Sequence, residues 1–336
     1  MVSMKDIARR CGVSVATVSK ALNGQPDIGE ETRERVCAVA KEMGYMTNSV
    51  ARALKTNRTY NLGVLLVDER RSGLTHEYFS SVLDSFKAEA ERHGYDITFI
   101  NRNLGGRSAS YLQHCRYRGV DGIVIACVDF TNSQIQELVD SDIPMITIDH
   151  TFDGRMAVVS DNTRGVEELV RYVYGKGHRK IAFLHGELST VTRNRLAGFY
   201  KACEALGLEV PKEYIRECVY HNPDRCAEAT WELLDLPEPP TCILFPDDFS
   251  YIGGMNVIRE RGLRIPEDIS AVGYDGIHLS RLLHLTTYSQ SAANLGRIAA
   301  EQLIQLVEHP KTTEINRILV PGGLLEGTSV KDLNQG

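Results

Sequence analysis

Apolar and polar positions follow two different rules along this chain. In the first part the spacing is helical. Met4 to Cys11 carries Ile7 and Ala8 on one face, and Val18 and Leu22 stand four apart on a second stretch. Gly12 between them supplies a tight turn, and Ser14 is placed to cap the second helix. A third amphipathic helix is predicted from Glu30 to Met43, with Val36, Val39, Ala40 and Met43 on one side and a stop at Gly44. From Asn61 onward, short β-branched runs alternate with amphipathic stretches. The runs are 62–67, 96–100, 122–126, 145–149, 181–185, 242–246 and 269–275. The predicted helices are Phe79–His93, Ser108–Arg116, Ser133–Val139, Arg195–Leu206, Arg225–Leu234, Ser250–Arg261 and Asn294–Val307, and Tyr214–Tyr220 stays unassigned. Buried strands alternating with helices imply parallel sheets covered on both faces. The strands are too many for one small sheet and the pattern restarts near 163, so two similar lobes are expected.

The fold class is therefore a small all-α helix-turn-helix head on an α/β body of two doubly wound parallel-sheet lobes. The expected division is a head at 1–46, a linking segment at 47–60 and a body at 61–336. Within the body, lobe 1 takes about 61–161 and 291–319, and lobe 2 about 162–290 and 320–332.

Charge sharpens this division. Residues 1–59 hold ten Lys and Arg against six Asp and Glu, whereas residues 60–336 hold 28 against 38. A basic head on an acidic body suits a polyanion-binding module joined to a part that does not itself adhere to nucleic acid. The second helix leaves Val15, Ala16, Ser19 and Lys20 on its outer side with Thr17 near its first turn, as required of a helix that enters a major groove. Two helices around a glycine turn also occur in proteins that bind no DNA. The stretch TNSVARALKTNRT is helix-capable but has little to bury its apolar side against, so alone it reads first as a flexible linker, although a helix that forms only on DNA would look the same.

In parallel sheets, ligands bind outside the carboxyl ends of the strands, and two facing lobes would form a cleft there. The polar and aromatic residues at those ends are His76, Glu77, Tyr78, Phe79, Asp149, Asp161, Arg193, Arg195, Asp247, Asp275 and Gln290. Carboxylates, arginine, amide and aromatics together suit a polyhydroxylated ligand, because each hydroxyl needs both a donor and an acceptor. Asp248 is expected to cap the following helix, and the single Trp231 to be core.

The segments DIARRCGVSVATVSKALNG, ETRERVCAVAKEMGY and NSVARALKT resemble the head of the lac-repressor and galactose-repressor family. SDNTRG, RLAGF, FPDD, IPEDISAVGYD and LTTYSQ resemble that family's ligand domain, which shares the periplasmic sugar-binding fold. The resemblance runs through the whole chain. It implies a homodimeric transcription regulator, usually a repressor, controlled by a small molecule, most often a sugar. It implies DNA contacts from Ser14, Val15, Ala16, Thr17, Ser19, Lys20 and Asn23, with Val15 and Ala16 reading base edges. It further implies that Asn48 to Lys55 forms a hinge helix, with Asn48 and Ala51 at the DNA and Leu54 as a minor-groove wedge. Asp149, Arg195, Asp247, Asp275 and Gln290 become the leading effector contacts. Several positions depart from the family pattern: Lys20 stands for an arginine, Thr47 for a proline, Asp247 for an asparagine, Tyr251 for an alanine, Ala292 for an aromatic and Gly327 for an arginine.

Other classes fit less well. The eight cysteines form no C-x-x-C pair, no metal or cofactor site is expected, and no G-x-S-x-G, P-loop or HExxH motif occurs. A solute-binding protein would have a signal peptide and no basic head; a sugar-modifying enzyme would have an acid/base pair. The N-terminus MVSMKDIARR lacks an apolar run, so a cytoplasmic protein that neither enters nor crosses a membrane is expected. No leucine-heptad tail ends the chain, which leaves a dimer as the expected assembly.

Overall fold

The structure, a computed structural model, describes residues 2–45, 58–67 and 73–335, and the chain forms two separate units, Met1–Thr59 and Tyr60–Gly336. Asn48, Ala51 and Leu54, with the rest of the expected hinge helix, lie outside the described residues.

In the first unit, α1 (Met4–Cys11), α2 (Val15–Leu22) and α3 (Glu30–Glu42) surround a small core of Ile7, Ala8, Cys11, Val18, Ala21, Val36 and Ala40. Gly12 takes the left-handed conformation at φ 66°, turning the chain between α1 and α2. The Ser14 hydroxyl then accepts the Thr17 amide at 3.0 Å and starts α2.

The second unit begins with β1 (Asn61–Leu66), α4 (Glu77–Arg92), β2 (Asp96–Phe99), the hairpin β3 (Asn103–Leu104) and β4 (Arg107–Ser108), and α5 (Tyr111–Arg118). It continues through β5 (Gly122–Ala126), α6 (Ser133–Val139), β6 (Met145–Ile148) and β7 (Met156–Ser160). Then come α7 (Asn162–Gly175), β8 (Ile181–His185), α8 (Thr190–Ala205), β9 (Ile215–Glu217), α9 (Pro223–Leu234), β10 (Cys242–Leu244) and α10 (Tyr251–Glu260). The last elements are β11 (Ser270–Asp275), α11 (His278–Leu282), β12 (Thr286–Ser289), α12 (Ala292–Glu308), β13 (Arg317–Val320) and β14 (Gly323–Leu325).

These strands form two six-stranded sheets, ordered β13-β7-β6-β5-β1-β2 and β14-β12-β11-β10-β8-β9. Every pairing in the first is parallel, and in the second only β14 runs antiparallel to its neighbour. The backbone passes from one sheet to the other after β7, after β12 and after β13, so each lobe is built from discontinuous stretches. Helices cover both faces: α4 and α12 pack on one side of the first sheet around Val82, Phe86, Leu295 and Leu303, and α5 and α6 pack on the other. In the second lobe α7 and α8 share one face, and α9 and α10 the other.

Periodicity had not marked α7 or the strands β7, β9, β12, β13 and β14. The edge strands β13 and β14 are short and partly exposed, which dilutes an apolar run. Helix starts moved where a cap decides them. The expected helix from Ser108 begins at Tyr111 because Ser110 and Gln113 form a capping box, while Ser108 pairs in the hairpin. The one expected from Arg195 begins at Thr190, where Ser189 accepts the Thr192 amide. Trp231 is not core: it is 45% exposed, with the Arg261 guanidinium 3.6 Å above its ring. Among the described residues no helix is long and apolar enough to cross a membrane, and no cluster of His, Cys, Asp or Glu is arranged to hold a metal ion.

Candidate functional site: an interlobe cavity and the exposed face of α2

The carboxyl ends of the strands of both lobes meet around a cavity of about 360 Å³, within the range of roughly 300–1,000 Å³ typical of small-molecule sites. Val67 follows β1, Cys127 to Phe130 follow β5, and Asp149 and His150 follow β6. From the other lobe come Glu187 after β8, Tyr220 and His221 after β9, Asp247 after β10, Asp275 at the end of β11 and Gln290 after β12. Four of these residues hold positive φ without being glycine: Cys127 at 50°, Asp149 at 56°, His221 at 53° and Asp275 at 108°. Such strain persists only where surrounding contacts over-determine it, and it gathers at ligand sites.

Arg195, fully buried on α8, is fixed from two sides. Its Nε donates to Asn162 Oδ1 at 2.8 Å and its Nη1 to the Pro246 carbonyl at 2.7 Å, and the guanidinium lies 3.7 Å over the Tyr274 ring. Its Nη2 stays 3.8 Å from Asp275 Oδ1, an ion pair too long for a direct hydrogen bond. Burial opposes the charge on Arg195, but the nearby acidic groups, Asp275 and Asp149 among them, outweigh it and keep the guanidinium protonated. Burial also pushes the Asp275 carboxyl well above its ordinary value. The nearby guanidinium and the Gln290 amide, which donates to Asp275, pull the other way.

On the lobe 1 side, Asp149 accepts the Tyr78 hydroxyl at 2.8 Å and the Ser160 amide at 2.7 Å. Burial and the Asp149 charge together raise the Tyr78 pKa strongly, so the phenol stays a donor. Flat rings line the walls or pack behind them. Phe130 and His150 stack at 4.0 Å with their planes 5° apart, and Phe152 meets His150 edge-on. Across the cleft His76, His221 and Phe249 form a continuous stack, and Phe79 meets His76 edge-on. Burial lowers the His150 pKa, keeping its imidazole neutral.

Of the effector contacts expected from sequence, His76, Tyr78, Phe79, Asp149, Arg195, Asp247, Asp275 and Gln290 line this one cavity. Two do not. Asp161 caps α7, accepting the Arg164 amide at 3.2 Å, and Arg193 is an exposed residue on the outer side of α8, two positions from Arg195. The roles expected of Asp247 and Asp248 also change. Asp247 does the capping work at the start of α10, accepting the Ser250 amide at 2.6 Å and hydroxyl at 2.8 Å, and it also takes the His221 amide at 2.8 Å. Asp248 is a fully buried node beneath the site, accepting the Thr287 hydroxyl at 2.6 Å and the Ile277 amide at 3.0 Å. Sequence reasoning missed Phe130, His150, Glu187, Tyr220 and His221. The first three lie one to four residues beyond recognised strands, and the last two follow β9, which was unassigned.

In the head, Ser14, Val15, Ala16, Lys20 and Asn23 are exposed on or beside α2, and Thr17 and Ser19 are half-buried. Ser14 is tied to the cap, with its hydroxyl 2.9 Å from that of Thr17. Asn23 folds its amide back onto the Ser19 carbonyl, and Lys20 is ion-paired with Asp27.

Comparison with known proteins connects the two units. Residues 3–48 match the model for bacterial regulatory proteins of the lacI family, and residues 59–327 match that for periplasmic binding proteins and the sugar binding domain of the LacI family. The chain is 31% identical to the HTH-type transcriptional repressor PurR of Haemophilus influenzae (strain PittEE), covering 99% of this chain and all of that protein. It is 32% identical to PurR of Shigella dysenteriae serotype 1 (strain Sd197), over 99% of this chain and 98% of the relative. Among solved structures, the lac repressor dimer bound to operator and the anti-inducer ONPF superposes with a TM-score of 0.79, at 26% identity over 98% of this chain and 99% of that one.

Proposed function

The chain belongs to the LacI family of bacterial transcription regulators, and from that premise we propose that its interlobe cavity takes an uncharged, polyhydroxylated effector, a sugar or sugar derivative. The protein is a DNA-binding transcriptional repressor with an effector-binding body, not an enzyme. Its partners are operator DNA and a small molecule.

One observation carries the choice of effector class. Arg195 Nη2 and Asp275 Oδ1 face each other at 3.8 Å, a gap that a ligand hydroxyl bridges by accepting from the guanidinium and donating to the carboxylate. Beside them the Gln290 Oε1 is buried and has no hydrogen-bond partner among the described residues, so it calls for a donor. Among the described lining residues, Asp129, Asp149, Glu187, Asp247 and Asp275 stand against the Arg195 guanidinium, which disfavours phosphate and carboxylate groups. The flat faces of Phe130, His150 and Tyr220 suit the apolar faces of a sugar ring. A regulator from Enterococcus faecium with bound ribose shares the body's fold, with a TM-score of 0.70 at 25% identity over 81% of this chain and 99% of that one.

In this reading two copies place their α2 helices in successive major grooves of a pseudo-palindromic operator. Effector binding changes the angle between the lobes, and segment 47–60 transmits that change to the heads with a coupling of about 1–3 kcal/mol. Calorimetry of the full-length protein against neutral sugars, their phosphates and nucleosides tests the effector class. Binding of a neutral sugar that Asp275→Asn abolishes supports it, and binding of phosphorylated ligands alone refutes it.

A further inference from the structure

We propose that Asp27 determines the specificity of the DNA-binding head by competing for Lys20. Lys20 is the only cation of α2 and sits on its exposed side, where the head would meet DNA. Its ammonium is bonded to the Asp27 carboxylate, and both side chains remain half-exposed, at 50% and 52%. The carboxylate does not hang on a loose loop. The Gln25 amide donates to the Lys20 carbonyl at 3.0 Å. The Arg33 guanidinium reaches from α3 to the Gln25 carbonyl at 3.2 Å and the Ile28 carbonyl at 3.4 Å, bracketing Asp27 on both sides. The acid is thus held where it meets Lys20.

An exposed ion pair of this kind adds little to folding. Its consequence falls on binding, and it differs between the two kinds of DNA. On arbitrary duplex, Lys20 can gain only a phosphate. Leaving Asp27 for it exchanges one anion for another and brings a carboxylate close to the phosphate backbone. On a site that presents guanine O6 and N7, an ammonium with three donors keeps one on Asp27 and gives another to the base edge. Asp27 therefore taxes phosphate-only binding more than base reading, and it orients a flexible lysine as well. It is a positioning residue that acts through Lys20, and the proposal rests on α2 being the reading helix.

The test uses the full-length protein and two labelled duplexes: one recovered by repeated selection from a random pool with the wild-type protein, the other its scrambled counterpart. Fluorescence anisotropy is followed across a salt series. Asp27→Asn is expected to tighten binding to the scrambled duplex by roughly three- to fivefold and to steepen its salt dependence by about one counterion. Binding to the selected duplex should change less, so the ratio between the two falls. Asp27→Glu should restore the ratio. In a Lys20→Ala background, Asp27→Asn should lose most of its effect. An unchanged ratio, a shift of equal size and slope on both duplexes, or an effect that survives Lys20→Ala overturns the proposal while leaving α2 as the reader. Failure of the wild-type protein to enrich any sequence overturns both.

Discussion

The imidazoles of His76 and His221 stack 4.1 Å apart with their planes 18° from parallel, although one precedes α4 of the first lobe and the other follows β9 of the second. Phe249 covers the far face of His221 at 4.0 Å, and beside the stack Glu77 accepts the His278 amide from the opposite lobe. These contacts bridge the two lobes beside the cavity. A stacked aromatic pair contributes about 0.5–1.5 kcal/mol beyond its buried area. Phe249→Ala, which lies outside the cavity lining, is expected to loosen closure without removing a ligand contact. Small-angle scattering of the unliganded protein should show a larger radius of gyration for the variant, and effector affinity should fall roughly two- to tenfold. Superimposable scattering curves and unchanged affinity would mean that the stack does not govern the lobe angle.

Arg195 and Asp275 face the same cavity but differ in what else depends on them. Truncating Arg195 leaves Asn162 Oδ1 and the Pro246 carbonyl, both buried, without their donor. Arg195→Met is therefore expected to lower stability by about 2–4 kcal/mol, read as a shift of the urea midpoint at constant m-value. Asp275→Asn keeps the shape and the contact to Gln290 but removes the anionic acceptor. Its unfolding midpoint should not fall, because burial already disfavours the charged form of Asp275, while effector affinity drops at least about tenfold. If both variants lost stability equally, Asp275 would be a structural residue and its position at the cavity incidental.

Much of this architecture was legible in the chain, and the failures share a cause. Buried strands such as Gly122–Ala126 announce themselves because both sheet faces are covered, which makes every side chain apolar. Asp149 and Asp275 could be placed because they stand where such a run stops, whereas Gln290 follows the unmarked β12 and rests on the family resemblance of LTTYSQ. Tyr220 and His221 could not, since β9 is three residues long, partly exposed and without alternation. Asp161 and Arg193 show the converse limit. Residues a few positions along the chain from a site share its neighbourhood but not its direction, and on α8 buried Arg195 and exposed Arg193 are only two positions apart. Local chemistry also reassigned neighbours: Asp247, not Asp248, reaches the Ser250 amide.

Glycines separate close packing from mere helix composition. A Cβ on Gly198 would sit 2.2 Å from the Thr163 carbonyl, because α8 crosses α7 there backbone against backbone. Gly175, at the end of α7, would meet nothing within 4 Å. Gly198→Ala is expected to cost about 1–3 kcal/mol through overpacking. Gly175→Ala is expected to gain up to about 1 kcal/mol by restricting the unfolded chain. Equilibrium unfolding of the two variants should shift in opposite directions, and shifts of the same sign would mean that α7 and α8 do not cross this closely.

Burial raises Asp248 to about 7, against an ordinary value near 3.8, with the charge of Asp247 adding to the shift and the Thr287 hydroxyl and Ile277 amide opposing it. A carboxyl whose folded pKa lies above its unfolded one binds its proton more tightly in the folded state. Its contribution to stability is therefore complete below about pH 4, declines as pH rises, and is gone above about pH 7, with a span of at most about 4 kcal/mol. Asp275 acts in the same direction. Asparagine at 248 keeps an oxygen for the Ile277 amide and lets the Thr287 hydroxyl turn from donor to acceptor. It no longer titrates. Asp248→Asn should thus flatten the fall in urea midpoint between about pH 5 and pH 8, gaining on the wild type as pH rises. Parallel profiles for the two proteins would show that Asp248 keeps an ordinary carboxyl pKa in the folded chain, with its hydrogen bonds balancing its burial.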